Sequence, residues 1–346
     1  MIYLHIGLPR TGTTSIQIGL ALNRTLLQDA GYFFPKEGIN HYGHHNIFYD
    51  LVRYDNLVTR HLNSRFQKAN GGLDELLARI TMVKKDNADA NFIISSEALI
   101  DLNTKLMGRM IKHLSAIDDV KVINCVRRQD RYLVSFWSLE VSRMNLALSF
   151  NEWAIQTATN NAMLLDYNCS YLKLNSLLKP DAIEFVGFKN LVSGEGPFKN
   201  FLRLCGVDVI TVEACAEPLH ANPSPNLLSL ELVRHLTKPP FTELPQHGQD
   251  DLLNGIIQFG ENHGWKEYAP KKSDIISEKC YRLMQLKYTR TNNLLIEQFP
   301  NLEEELRYTP YEGPYRELSL NSIPIESFKE LNSKLPKIVD IESFLN

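Results

Sequence analysis

Several features are scarce or missing in this chain, and each closes off a class of protein. Five cysteines in 346 residues (Cys125, Cys169, Cys205, Cys215 and Cys280) are an odd number with no C-x-x-C pair. They supply neither a zinc knuckle nor a disulfide framework, and they suit thiols kept reduced in a cytoplasm. No run of about eighteen apolar residues occurs, so no membrane-spanning helix is expected. The amino terminus enters a strand-like run without a basic segment and an apolar core, which argues against a signal peptide. The expected location is therefore cytoplasmic. A basic excess is missing too: 37 Lys and Arg stand against 40 Asp and Glu, a net charge of −3. A nucleic-acid binder normally carries surplus positive charge, so no nucleic-acid partner is expected. Hydrophobic residues at 44% rule out a disordered chain and leave a globular one.

What is present is concentrated at the start, in MIYLHIGLPRTGTTSIQ. Ile2 to Ile6 form a short apolar run, a Gly–Pro loop follows, and Thr13, Thr14 and Ser15 open a helical pattern. Strand, tight loop and helix N-terminus together make an anion site, because free backbone N–H groups and the positive end of the helix dipole converge there. Gly7 and Gly12 are spaced as in GxxxxGK[ST], but Thr13 occupies the place of the lysine. The cation stands inside the loop instead, as Arg10. A lysine after the second glycine serves a metal-bound triphosphate. A cation within the loop suits a donor without one, and no metal is expected.

A second concentration follows the run Val120 to Cys125. Arg127 ends that strand, and Ser135 lies eight residues later, on a helix beginning near Gln129. A guanidinium makes bidentate bonds to a phosphate, and a hydroxyl two turns into the helix adds a further donor. Arg128 and Arg131 read either as a solvated basic face or, for one of them, as a further contact to the nucleotide.

Pro9, Arg10, Thr11, Gly12, Thr13 and Thr14 resemble the PKxGTT loop of sulfotransferases that use 3′-phosphoadenosine 5′-phosphosulfate (PAPS), with arginine in place of the usual lysine. The Arg127-x7-Ser135 spacing, about 115 residues further on, is similar to the pair that grips the 3′-phosphate in that family. The resemblance extends loosely over most of the chain. It includes a Gly31–Pro35 segment, a histidine-rich turn at His44 and His45, and Tyr288 with Asn292 near the C-terminus. It implies PAPS as donor, bound by Pro9 to Ser15 at its phosphosulfate and by Arg127 and Ser135 at its 3′-phosphate. It also implies in-line transfer to an acceptor hydroxyl, for which a saccharide is the first expectation. The basic Arg-Lys-Gly segment of the cytosolic animal enzymes has no match here.

For the base, three residues stand open. His44 and His45 precede an apolar helix and read either as base or substrate contact, or as surface and capping histidines. Glu97 ends the strand Asn91 to Ser95 on the sheet edge where α/β proteins bind ligands; it could be a base, an acceptor contact or a cap. Strand-like runs alternating with helices imply an α/β three-layer sandwich with a central parallel sheet, P-loop NTPase-like, carrying helical insertions and a helical C-terminal region. The expected division is one domain over 1–309 and an extension over 310–346. A P-loop kinase and a non-catalytic nucleotide-binding scaffold remain as alternatives.

Overall fold

The computed structural model describes residues 1–54, 70–160, 165–218, 225–237 and 246–334. They fall into two compact units, each assembled from separated stretches of chain. The first contains 1–127, 166–222 and 291–307; the second contains 128–165, 223–290 and 308–346.

The first unit is built on a sheet of five parallel strands: β1 (Ile2–His5), β2 (Tyr32–Phe33), β3 (Asn91–Ser95), β4 (Val120–Val126) and β5 (Ile183–Gly187). Their order is β2-β3-β1-β4-β5, with every pairing parallel. Strands so placed are buried on both faces and need continuous apolar runs, which NFIIS and VKVINCV provide. One face packs Ile93, Ile123, Cys125 and Val186 against Ile16 and Leu20 of helix α1 (Thr13–Leu22) and Phe198, Phe201 and Leu202 of helix Pro197–Leu204. Helix Thr104–Ser115 packs on β4, its first turn capped by Asn103, whose side chain accepts from Leu106 N.

The expected α/β class and central parallel sheet are thus present. One helical boundary differs. The periodicity of Ser15 to Ala30 implies one helix, but the chain breaks at Asn23 into α1 and α2 (Arg24–Asp29). The Asn23 carboxamide donates to Gly19 O and Ala216 O and accepts from Ala216 N. A short amide that pairs with distant backbone competes with the helix at its own position.

Gly19 sits inside α1, where glycine weakens a helix. Its reason is close packing: a Cβ there would lie 2.4 Å from Cγ of Phe198. Gly19→Ala gains helix propensity but overpacks this contact, and a net loss of about 1–3 kcal/mol is expected in urea unfolding. An unchanged midpoint would show that the two helices can part at no cost.

The described residues of the second unit are helical and irregular. Helix Leu227–Leu236 packs on Gln129–Ser142, Gln246–Asn262 and Trp265–Tyr268. Trp137 is fully buried there, its indole N–H donating to Leu148 O, which makes it part of the core. The stretch 239–245, read in the sequence as a Pro-rich joint, lies outside the described residues. So does all of 56–69, within the stretch 56–90 whose sequence is polar and helical in character. Among the described residues no helix is long and apolar enough to cross a membrane.

Candidate functional site

Sheet order decides where a ligand can sit. From β1 the chain moves outward to β2, and from β4 it moves the opposite way to β5, while β1 and β4 are neighbours. Oppositely directed connections leave a crevice beyond the carboxyl ends of these two strands, the usual ligand position in an open α/β sheet. The loop 6–12 and the end of β4 both open there. Ile6 N donates to Ile123 O and Leu8 N to Cys125 O, so the loop starts by continuing β1 alongside β4. Two residues beyond Leu8 stands Arg10, and two beyond Cys125 stands Arg127.

The loop then turns sharply. Arg10 and Gly12 both have left-handed backbone, φ 66° and 87°. A Cβ at Gly12 would also crowd Pro197, lying 3.0 Å from its Cβ. Thr11 was expected among the donor-binding residues. Its hydroxyl is buried and donates to Leu8 O at 2.6 Å, bracing the loop from within. Gly12 is the N-cap of α1, no side chain caps the helix, and its first internal bond runs from Ile16 N to Gly12 O. The amides of Thr13, Thr14 and Ser15 precede that bond, as in any helix whose N-terminus receives an anion. Pro9, Arg10, Thr14 and Ser15 are half-buried and Thr13 is buried.

Arg127 is held on one side of this loop. Its guanidinium carbon lies 4.4 Å from the ring centroid of Phe188, and Tyr167 Oη donates to its carbonyl at 2.6 Å. Both contacts fix a planar cation by stacking and by backbone anchoring. Ser135, its expected companion, belongs to the second unit, where it is buried on helix Gln129–Ser142.

The other flank of the loop carries the expected bases. Ser96 N donates to His5 O, continuing β3 past β1, and Glu97 comes next. His44 is excluded as a base by its own bonds. Its Nδ1 accepts from Ser95 N at 3.2 Å, so the proton resides on Nε2, which donates to Pro35 O at 3.1 Å. The ring is fully buried, and burial holds its pKa down to about 3. With both nitrogens committed, His44 is a clamp that pins its turn to β3. His45 differs: its Nδ1 lies 2.8 Å from Ser96 Oγ and its Nε2 3.9 Å from Glu97 Oε2, with the side chain 17% exposed. Burial lowers its pKa, Glu97 opposes that, and His41 adds to it. A neutral, partly exposed imidazole beside a carboxylate is suited to accept a proton.

Two residues of this site carry no signal in the sequence. His5 lies buried beneath the loop, with Nδ1 2.8 Å from Ser95 Oγ. Gln17, buried on α1, bonds to Glu97. The sheet register sets His5 opposite Ser95, and α1 carries Gln17 to the end of the same strand.

Burial also holds the His5 pKa down, to about 4. An unfolded histidine titrates near 6.5, so below that pH the unfolded chain binds protons that the buried His5 and His44 rings refuse. Stability present above pH 6.5 is therefore lost as the pH falls toward 4, at about 1.4 kcal/mol per pH unit for each ring. Urea unfolding between pH 7 and 5 checks this, and a flat profile would mean that the rings are protonated or exposed.

The second unit has a cavity of about 460 Å³ lined by Phe150, Asn151, Glu231, Arg234, His235 and Tyr315, among others. Much of its polar lining is spent internally. Arg234 is paired with Glu231 and donates to Ala147 O, and Asn151 bonds Ile275 O and Ser277 N. Compared with known proteins, the chain matches no family model, no curated protein and no solved structure.

Proposed function

We propose that this chain is a PAPS-dependent sulfotransferase with a P-loop type of anion site, moving a sulfuryl group to an acceptor hydroxyl, with a saccharide as the favoured acceptor. One observation carries the proposal. Leu8 N bonds to Cys125 O, which sets the Arg10 loop and Arg127 in step on adjacent strand ends at the crevice of the sheet. A nucleotide phosphorylated at both ends needs two separate cationic anchors. An ATP enzyme has no 3′-phosphate to hold, and it would want the lysine that Thr13 replaces.

In this scheme the loop amides and Arg10 hold the 5′-phosphosulfate and take up charge as its bridging S–O bond breaks. Donors preset at such a point contribute on the order of 3–4 kcal/mol each. His45 receives the acceptor's hydroxyl proton as the new O–S bond forms, with Glu97 beside it to stabilise the imidazolium. General base catalysis of this kind is worth about 10²–10⁴-fold. The electron pair leaves with the 5′-phosphate of adenosine 3′,5′-bisphosphate. Because the base must be neutral and its pKa is lowered, the acid limb of the rate profile is expected below pH 6.5.

Isothermal titration with adenosine 3′,5′-bisphosphate tests the donor site without knowledge of the acceptor. Saturable binding is expected, with magnesium-ATP at least about tenfold weaker. Tight magnesium-ATP binding with indifference to the bisphosphate would favour a kinase or NTPase and end the proposal. Turnover of radiolabelled PAPS with mono- and oligosaccharides then tests the acceptor.

A further inference from the structure

The helix that opens the anion loop and the pair of groups proposed as base meet at one buried amide. Gln17, one turn past Thr13 on α1, is 2% exposed. Its Nε2 lies 2.8 Å from Glu97 Oε2 and 3.2 Å from Ser95 Oγ. An ionised carboxylate only accepts, so the NH₂ end of the carboxamide must face it, and both amide hydrogens are spent on the end of β3.

The surroundings leave this amide little freedom. The same Ser95 Oγ also pairs with His5 Nδ1, at 2.8 Å. His5 Nε2 is buried without a hydrogen-bond partner among the described residues, and it would lie 2.4 Å from a Cβ placed on Gly7. From the other side comes Gly43, in the turn that delivers His45. A Cβ there would stand 2.6 Å from Gln17 Nε2 and 2.9 Å from Ser95 O. Three elements thus close on the same group: α1 with its loop, the end of β3 with Glu97, and the turn bearing His45. A glutamine serving only to fill the core would not be bonded to a half-buried carboxylate 3.9 Å from a histidine.

We infer that Gln17 is a positioning residue that fixes Glu97 against His45 from the helix of the anion loop, an inference whose catalytic meaning rests on the transferase proposal above. It touches neither donor nor acceptor; it acts through Glu97. The titratable groups facing His45 are Glu97 from the end of β3, His41 from the preceding turn and His44 beside it in the chain. Gln17→Glu adds a fourth at hydrogen-bond distance from Glu97, a position where two carboxylates cannot both ionise freely. The proton they share removes part of the Glu97 charge that favours the His45 imidazolium.

Two variants test this, Gln17→Glu and Gln17→Met, each read by histidine NMR titration and by calorimetry with adenosine 3′,5′-bisphosphate. In Gln17→Glu the paired carboxyls hold one proton near neutral pH, so the His45 midpoint is expected to move down, and the acid limb of turnover with it. In Gln17→Met turnover is expected to fall roughly tenfold to a hundredfold while bisphosphate affinity holds, because the loop is untouched and only the base has lost its alignment. A His45 midpoint unmoved by Gln17→Glu would overturn the inference, as would Gln17→Met turning over at the parent rate. Failure of the parent protein to bind the bisphosphate would instead sink the transferase proposal. The NMR titration would still report on Gln17 in that case.

Discussion

Arg10→Gly is expected to lose turnover by about 10²–10³-fold while folding at least as well as the parent. Arg10 holds a φ of 66°, in the left-handed region that glycine enters freely and a side-chain-bearing residue enters at a cost. A bulky residue kept in such a conformation at the tip of a ligand loop points to a function that outweighs the strain. Arg10→Ala removes the same cation but retains the left-handed strain. The glycine variant should therefore exceed the alanine variant in stability by about 1 kcal/mol, with both equally impaired in turnover. Arg10→Lys keeps the charge and loses the planar fork, so it should recover part of the rate. Urea unfolding and PAPS turnover on the three variants measure these quantities. A glycine variant with parental turnover would show that the loop cation takes no part in the chemistry.

The sheet was largely legible from the sequence because a central parallel strand has few ways to be written. Apolar runs at Ile2–Ile6, Asn91–Ser95 and Val120–Cys125 foretold β1, β3 and β4 to within a residue or so. The loop was legible for a related reason, since glycine spacing reports backbone conformation, and Gly12 is left-handed as its position between strand and helix requires. What could not be read depends on partners far away in the chain. The break at Asn23 is caused by Ala216, and nothing near Asn23 announces it. His44 and His45 are equivalent on paper and opposite in the fold. One faces Pro35 O and Ser95 N and becomes a clamp; the other faces Ser96 and Glu97. Gln17 carries no signal in the sequence, and only its burial and its bond to Glu97 mark it. The division into two units was hidden because each is gathered from several stretches of ordinary composition.

Arg127→Met is expected to erase the advantage of a 3′-phosphate while leaving the 5′ end in place. The parent should bind adenosine 3′,5′-bisphosphate more tightly than adenosine 5′-monophosphate, because only the former offers a second phosphate to the guanidinium. A hydrogen-bonded contact to a charged group contributes about 1.5–3 kcal/mol, or roughly 10- to 150-fold in affinity. Arg127→Met removes that margin and keeps a flexible apolar stem over Phe188, 4.4 Å from the guanidinium carbon in the parent. The two nucleotides should then bind alike. Arg127→Lys should fall between, since an ammonium retains the charge but neither the fork nor the stacking on Phe188. Arg10→Gly is the control, because both nucleotides share the 5′-phosphate that its loop would hold and should weaken together. The two residues stand on different strand ends and, on the proposed reading, would meet different phosphates, so their effects on the bisphosphate should add to within about 0.5 kcal/mol. An equal loss for both nucleotides in Arg127→Met would place that guanidinium on the 5′ side, and a clasp on both ends of the donor would have to be given up.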